Sequence, residues 1–183
     1  MKYFNVGILG TGSIAQSMAF TLNALKDKGD VVPYAIASRS LEKAEKFAQE
    51  WHFEQAYDNY EALVSDPSVD LIYIATPHSL HYEHALLCLN HGKNTLVEKS
   101  FTANALQAQE LLSLAADKKV LLAEAIWTRY MPSRKIITDL LDSGAIGRPT
   151  TLEAAFSVPI HKIPRMHDPA LWVVHSWIWE YMF

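Results

Sequence analysis

The sequence predicts an α/β fold with an open, doubly wound parallel sheet, and three observations lead to this prediction. Short apolar runs alternate with longer stretches in which apolar residues recur at helical spacing, which is typical of parallel strands covered by helices. Half of the 183 residues are hydrophobic, enough to bury a core on both faces of such a sheet. A glycine-rich turn joins the first apolar run to the first helical stretch.

The elements follow one another in strand–helix order. The predicted strands are residues 6–9, 31–37, 71–75, 94–97 and 120–123, and the predicted helices are residues 14–26, 41–50, 80–90 and 103–116, with a short helix after the Asp58–Asn59 turn. Residues 71–75 are the clearest buried strand, because all five are apolar or aromatic. Asp66 and Pro67 end the short helix, and Gly92 ends the helix at residues 80–90.

The strand–helix rhythm changes after residue 123. Pro132 begins a helix that runs to about residue 143, a turn containing two glycines follows, and residues 150–158 alternate like a half-exposed strand. We therefore expect one domain at residues 1–123 and the incomplete start of a second domain at residues 124–183. About 60 residues are at the low end of what folds alone.

Composition excludes several classes of protein. Sixteen Lys and Arg stand against twenty Asp and Glu, a formal charge of −4, so no global field attracts nucleic acid or an anionic membrane. The single cysteine, Cys88, excludes an internal disulfide framework, and no zinc spacing of Cys and His is present. No apolar run reaches the length of a membrane span. We expect a cytoplasmic protein without a metal site.

The turn after the first strand carries the first functional motif. Gly10-Thr11-Gly12-Ser13-Ile14-Ala15 fits the G-x-G-x-x-G/A fingerprint of a dinucleotide-binding Rossmann unit. Gly10 permits the tight turn, Gly12 lets the backbone approach a pyrophosphate, and Ala15 lets helix and strand pack closely. The helix N-terminus, with Ser13 and Ile14 in its first turn, supplies N–H groups and partial positive charge. An ordinary glycine turn is the alternative.

The end of the second strand distinguishes the two nicotinamide cofactors. An Asp or Glu at this position accepts from the ribose 2′-OH, whereas Arg accommodates a 2′-phosphate. This chain has Ser38-Arg39-Ser40 and no acid there. Ser38 and Arg39, with Lys43 as a further candidate, favour NADP over NAD. The alternative is that Arg39 is a solvated residue at the start of a helix.

Three further segments resemble one known family. They are residues 75–81 (ATPHSLH), residues 97–99 (VEK) and residues 124–130 (EAIWTRY). Together they resemble the Gfo/Idh/MocA oxidoreductases, and the last segment is most similar to the dimeric dihydrodiol dehydrogenase and D-xylose dehydrogenase branch. The resemblance implies a Rossmann domain followed by an α+β sheet domain, a homo-oligomer in full-length relatives, and a small carbohydrate or diol substrate.

The resemblance also implies roles for individual residues. The predicted contacts to the cofactor are Thr76, Pro77, His78 and His81, with Glu98 beside the nicotinamide and the substrate. Lys99 is the predicted catalytic acid/base, because it follows a central strand where doubly wound folds bind ligands. A positive nicotinamide nearby disfavours the charged amine, which suits proton exchange with a substrate hydroxyl. An ion-paired surface lysine is the alternative. Family members usually have Pro after the Lys, and Ser100 stands here.

Trp127 and Arg129 match positions that relatives place near the cofactor. Alternate residues of an extended segment point the same way, so both are expected to face the cleft. A core Trp with a surface Arg is the competing interpretation. Several histidines are present, including His81 and His84 one helical turn apart, but no acidic or cysteine partner completes a metal site.

The last twelve residues, 172–183, differ in composition from all that precedes them and contain three of the five tryptophans. Back-translation from the third base of the Trp172 codon permits Gly-Gly-Ala-Leu-Leu-Asp-Leu-Gly, the stretch that relatives carry after this point. The hypothesis is a frameshift near Leu171 that truncates the chain and makes residues 172–183 an out-of-frame tail. An apolar docking segment or membrane-surface anchor is the rival interpretation.

The predicted function is hydride transfer between NADP(H) and a sugar, polyol or cyclic diol, with Lys99 as acid/base and Glu98 positioning it. Two alternatives belong to other classes. One is a truncated, non-catalytic NADP-binding remnant, and the other is a protein that senses NADP without turnover.

Overall fold

A single parallel sheet of six strands forms the centre of the computed structural model, which describes residues 4–26, 30–153 and 155. The strands are β1 (Phe4–Leu9), β2 (Val31–Ala37), β3 (Gln55–Tyr57), β4 (Leu71–Ile74), β5 (Asn94–Val97) and β6 (Leu122–Glu124). Their order in the sheet is β3-β2-β1-β4-β5-β6, and all five neighbouring pairs are parallel. The order reverses between β1 and β4, the position where such sheets open a crevice for ligands.

Helices connect the strands and cover both faces of the sheet. The α-helices are α1 (Ser13–Lys26), α2 (Leu41–Trp51), α3 (Tyr60–Ser65), α4 (His81–Asn90), α5 (Ala105–Lys118) and α6 (Pro132–Asp142), and 3-10 helices span His78–Leu80 and Trp127–Tyr130. Asn59 caps α3 by accepting from the Ala62 N–H at 2.7 Å, and Asn104 caps α5 in the same way. Such caps satisfy N–H groups that the first turn leaves without partners.

Two apolar cores lie on opposite faces of the sheet, because successive strand residues point to opposite sides. Ile8 and Tyr73 pack with helices α1 and α2, whereas the next residues along their strands, Leu9 and Ile74, pack with helices α3, α4 and α5. All four are at most 2% exposed. Burying one such side chain contributes roughly 1.5–3 kcal/mol, so the two cores supply most of the stability of the sheet.

The structure confirms the predicted fold class and corrects some boundaries. Strand β3 was missed because it has only three residues and none is fully buried. The last strand and helix α5 begin two residues later than predicted, the helix because Asn104 is its cap. Helix α6 lies where Pro132 predicted it. Residues 150–153 and 155 are not in a strand, and the rest of the predicted strand at 150–158, like the tail at 172–183, lies outside the described residues.

Among the residues that the structure describes, no helix is both long and apolar enough to span a membrane.

Candidate functional site

An open cleft of about 660 Å³ lies at the carboxyl ends of β1, β2, β4 and β5. It is lined by Gly10, Thr11, Gly12, Ser13, Ile14, Ser38, Arg39, Ser40, Lys43, Tyr60, Ala75, Thr76, Pro77, His78, Glu98 and Lys99. Residues from five separate segments of the sequence therefore meet at the switch point of the sheet, the usual ligand site of this architecture.

The two glycines of the first turn differ in the space around them. Gly10 has φ +100°, and a Cβ there would lie 2.9 Å from the Ala75 carbonyl oxygen, so only glycine fits without strain. A Cβ on Gly12 would meet no atom within 4 Å and would point into open space. Ala15 is fully buried against the sheet. Ser13 and Ile14, in the first turn of α1, line the cleft, and N–H groups of a first turn have no acceptor within the helix.

Ser38, Arg39 and Lys43 line the cleft beyond the end of β2. The Ser38 side chain is buried, and its Oγ accepts from the Ser40 N–H at 3.4 Å. Arg39 and Lys43 are exposed, so their cationic groups are available to an anion in the cleft. This end of the cleft combines hydroxyl groups with two positive charges.

Thr76, Pro77 and His78 line the cleft after β4, but His81 does not. His81 is 0% exposed. Its Nδ1 lies 2.7 Å from the Ser100 carbonyl oxygen, and its Nε2 lies 3.0 Å from that of Thr76. Burial lowers the pKa of His81, while the two carbonyl contacts oppose that shift. His81 therefore lies beneath the cleft and joins the chain segments that follow β4 and β5.

The segment after β5 is held from several sides. The Tyr73 hydroxyl donates to Glu98 Oε1 at 2.5 Å, and the Lys99 backbone N–H donates to Glu98 Oε2 at 3.1 Å. Burial, with this hydrogen bond, raises the pKa of Tyr73. Two residues further on, the Phe101 N–H donates to Glu124 Oε1 at 2.9 Å. Burial also raises the pKa of Glu124. These contacts, with that of His81, surround Lys99, whose side chain is exposed in the cleft.

The placement predicted for Trp127 and Arg129 rests on an extended segment that the structure does not contain. Residues Trp127–Tyr130 form a 3-10 helix, in which residues two apart point in different directions. Both side chains are exposed and neither is in the lining of the cleft. Arg129 is near enough to Glu124 to oppose the rise in its pKa.

Four residues that shape the site carried no sequence motif. Tyr73 and Glu124 lie within strands, where an aromatic or a single acid has many ordinary roles. Tyr60 and His84 lie on helices α3 and α4, and the helix-turn spacing of His81 and His84 in the sequence points to no role other than metal binding. Within 4–26, 30–153 and 155, no group of three His, Cys, Asp or Glu side chains is arranged to hold a metal ion.

The sequence of this chain is similar to those of several known proteins. The sequence model of the GFO_IDH_MocA family, described as an oxidoreductase family with an NAD-binding Rossmann fold, matches residues 4–126. A trans-1,2-dihydrobenzene-1,2-diol dehydrogenase from Xenopus tropicalis is 42% identical over 165 residues, 90% of this chain and 50% of that protein. A D-xylose 1-dehydrogenase (NADP(+)) from Hypocrea jecorina is 42% identical over 150 residues, 77% of this chain and 38% of that protein.

Solved structures show the same likeness. The crystal structure of a 3-ketoreductase from Actinomadura kijaniata in complex with NADP and TDP-benzene matches with a TM-score of 0.73 at 33% identity, over 80% of this chain and 44% of that chain. The chain spans about half the length of the curated relatives it matches.

Proposed function

Since the chain belongs to the Gfo/Idh/MocA family of oxidoreductases, we propose that it binds NADP and that the protein transfers hydride between this cofactor and a sugar, polyol or cyclic diol. One observation carries the proposal: the dinucleotide turn, the Arg39 end and Lys99 line the same cleft. A cofactor whose pyrophosphate lies at the glycine turn would then have its adenosine end near Arg39 and its nicotinamide end near Lys99.

The glycine turn fits a dinucleotide. Open space in front of Gly12 leaves room for a phosphate, and the α1 N-terminus offers N–H groups and partial positive charge to it. Gly10, Gly12, Ser13 and Ile14 are the proposed pyrophosphate contacts, and Ala15 supports them from the core. Thr76, Pro77 and His78 are proposed to bind the adenosine and pyrophosphate from the β4 side, in line with the family resemblance.

The choice of NADP rests on the end of β2. Arg39 and Lys43 are exposed cations beside the Ser38 hydroxyl, a set that suits a 2′-phosphate through charge-assisted hydrogen bonds. The Hypocrea relative carries NADP in its name, and the Actinomadura structure holds NADP. These similarities support the same choice for this chain.

The proposed chemistry uses residues at the other end of the cleft. A bound nicotinamide supplies the hydride acceptor or donor. The Lys99 amine exchanges a proton with the substrate hydroxyl. Its side chain is exposed in the cleft, so a bound substrate can reach it. Glu98 is a positioning residue, because its carboxylate accepts from the Lys99 backbone N–H while the Tyr73 hydroxyl holds it in place.

The substrate class comes from relatives. The Xenopus and Hypocrea proteins are named for a cyclic diol and a sugar, and we extend that range to this protein. The division into a cofactor domain at residues 1–123 and a second domain from residue 124 remains part of the proposal. So do cofactor contacts from Trp127 and Arg129, which would require the segment after β6 to approach the cleft.

Thermal melting with NADPH, NADH and no nucleotide tests the cofactor. A ligand that binds only the folded state raises the melting temperature, so NADPH should raise it more than NADH does. Arg39→Asp should abolish the difference, whereas Lys46→Asp, an equal charge change on α2 outside the cleft lining, should preserve it. Equal, negligible shifts with both nucleotides would contradict the cofactor assignment.

Turnover separates catalysis from binding alone. With NADP and a panel of sugars and diols, Lys99→Met should abolish hydride transfer while NADPH still raises the melting temperature. NADPH binding without turnover of any substrate by the unmodified chain would favour the second candidate, a nucleotide-binding protein that does no chemistry.

A further inference from the structure

Among the described residues that line the cleft, Tyr60 is the one Phe, Tyr or Trp, and it belongs to no sequence motif. It is the first residue of α3, directly after the Asn59 cap. The residue is half-buried and lines the cleft. Among residues 4–26, 30–153 and 155, we find no hydrogen-bond partner for its hydroxyl.

A histidine behind the cleft holds the Tyr60 ring. The rings of Tyr60 and His84 meet edge to face, with centroids 4.6 Å apart and an interplanar angle of 72°. The Nδ1 atom of the same histidine lies 2.8 Å from Thr76 Oγ1. His84 on α4 thus contacts two side chains that line the cleft, Tyr60 and Thr76, which come from different parts of the chain.

His84 performs this role without a charge at neutral pH. Burial lowers its pKa to about 4, and the positive charge of Arg39 adds to the shift. A neutral imidazole beside the Tyr60 ring leaves Arg39 and Lys43 as the cations at this end of the cleft lining.

The Tyr60 hydroxyl lies within the electrostatic reach of Arg39. Burial raises the pKa of Tyr60, and the Arg39 charge opposes that rise, so the hydroxyl keeps its proton at neutral pH. A neutral phenol and a guanidinium thus line the same cleft, one as a hydrogen-bond donor and the other as a cation. An anionic oxygen is the ligand that both groups favour.

We propose that Tyr60 is a specificity-determining residue whose hydroxyl donates a hydrogen bond to the 2′-phosphate of the adenosine, alongside Arg39 and Lys43. This inference rests on the proposed use of NADP and extends it to a residue on helix α3. Helices α3 and α2 pack into different cores, on opposite faces of the sheet, so the phosphate would be bound from two sides. His84 holds the ring in the required orientation.

Calorimetric titration with two adenosine fragments tests the proposal. The fragments are 2′,5′-ADP and 5′-ADP, which differ by the position of one phosphate and bind without any substrate. The unmodified chain should bind 2′,5′-ADP at least about tenfold more tightly, because a charge-assisted hydrogen bond alone accounts for that factor. Tyr60→Phe keeps the ring and removes only the hydroxyl, and it should reduce the preference about tenfold while 5′-ADP affinity stays the same.

Tyr57→Phe is the matched control. It removes a hydroxyl that donates to Asp66 at 2.9 Å, away from the cleft lining, so the preference for 2′,5′-ADP should persist. A thermal melt of each variant verifies folding. An unchanged preference in Tyr60→Phe, or an equal loss of both fragments, would overturn the role of the hydroxyl. Absence of any preference in the unmodified chain would instead refute the use of NADP.

Discussion

The two ends of the cleft are built in different ways. At the β1–α1 turn, the backbone itself forms the site, and the features that matter are the φ of Gly10 and the open space at Gly12. Around Lys99, the site is formed by side chains from β4, α4 and β6 that contact Glu98, Ser100 and Phe101. The first site is local in sequence and the second joins residues 19 to 25 positions apart. A site formed by neighbouring residues can be recognised in the sequence as a motif, whereas a site formed by distant residues cannot.

The largest effect is expected from Gly10→Ala, which changes the β1–α1 turn, where the backbone forms the site. The added Cβ would lie 2.9 Å from the Ala75 carbonyl oxygen at a φ of +100°, so the turn or β4 must shift. We expect a loss of about 3 kcal/mol in the free energy of unfolding and loss of NADPH binding. Urea unfolding and calorimetric titration measure both.

Gly12→Ala is the matched variant for that test. Its Cβ meets no atom within 4 Å, so stability should stay within about 0.5 kcal/mol while NADPH binding weakens. Equal destabilisation by the two alanines would show that the turn is not built as described.

A pH titration of stability addresses the side chains behind the cleft. The folded-state pKa of His84 is about 4, below the value of 6.5 for an unburied histidine. The unfolded chain therefore binds the proton first as pH falls, and the stabilisation present above pH 6.5 is lost between about 6.5 and 4. The loss amounts to about 2–3 kcal/mol.

Urea unfolding at several pH values, with His84→Gln beside the native chain, gives the comparison. The variant should show a flatter dependence of unfolding free energy on pH over this window. Replacing the exposed His91 with Gln is the matched variant, since His91 lies outside the cleft lining, and it should leave the slope contributed by His84 in place. His81, Arg39, Tyr60 and Thr76 are the groups around His84 and are unchanged in both variants. An unaltered slope in His84→Gln would contradict the assignment.

Tyr73→Phe tests the end of the cleft around Lys99, and we expect it to lower the free energy of unfolding by an intermediate amount. It removes the hydroxyl that donates to Glu98, and losing one hydrogen bond to a charged group costs roughly 1.5–3 kcal/mol. Turnover should fall through kcat, since Lys99 loses its support, while NADPH affinity should change little.

Tyr82→Phe is the control for that variant, because its hydroxyl donates to Glu110 on the surface. Its free energy of unfolding should fall less than that of the Tyr73 variant, because an exposed hydrogen bond contributes little to stability. A Tyr73 variant that lost NADPH affinity as strongly as kcat would show that the two ends of the cleft are not independent.

The smallest effect is expected from Glu124→Gln. Burial raises the pKa of Glu124, so its negative charge opposes folding above the ordinary pKa of a glutamic acid. An amide oxygen can still accept from the Phe101 N–H. The free energy of unfolding at pH 7 should therefore rise slightly, by less than about 1 kcal/mol, and a fall would mean that the charge itself holds the segment.

Much of the fold was predictable because its signals are local. The alternation of strands and helices, the Asn59 turn and the start of α6 at Pro132 all lie where the sequence placed them. Strand β3 was missed because three partly exposed residues carry no periodicity. The 3-10 helix at Trp127–Tyr130 was missed because the segment was expected to be extended.

The candidate site divides in the same way. Gly10, Gly12, Arg39 and Lys99 line the cleft as a motif-based interpretation expected. His81 was predicted as a cofactor contact and is instead fully buried beneath the cleft, where its two ring nitrogens lie against carbonyl oxygens from different segments. A histidine on a helix gives no sign of which distant carbonyls it will contact.

The sequence by itself determined the parallel α/β architecture and the dinucleotide turn, because hydrophobic periodicity and the backbone freedom of glycine act over a few neighbouring residues. Only the tertiary structure decided what surrounds Lys99 and which side chains share its cleft. Tyr60, Tyr73, His84 and Glu124 gain their roles from contacts across the sheet and its helices, and such contacts depend on how separate elements pack rather than on the order of residues within any one of them.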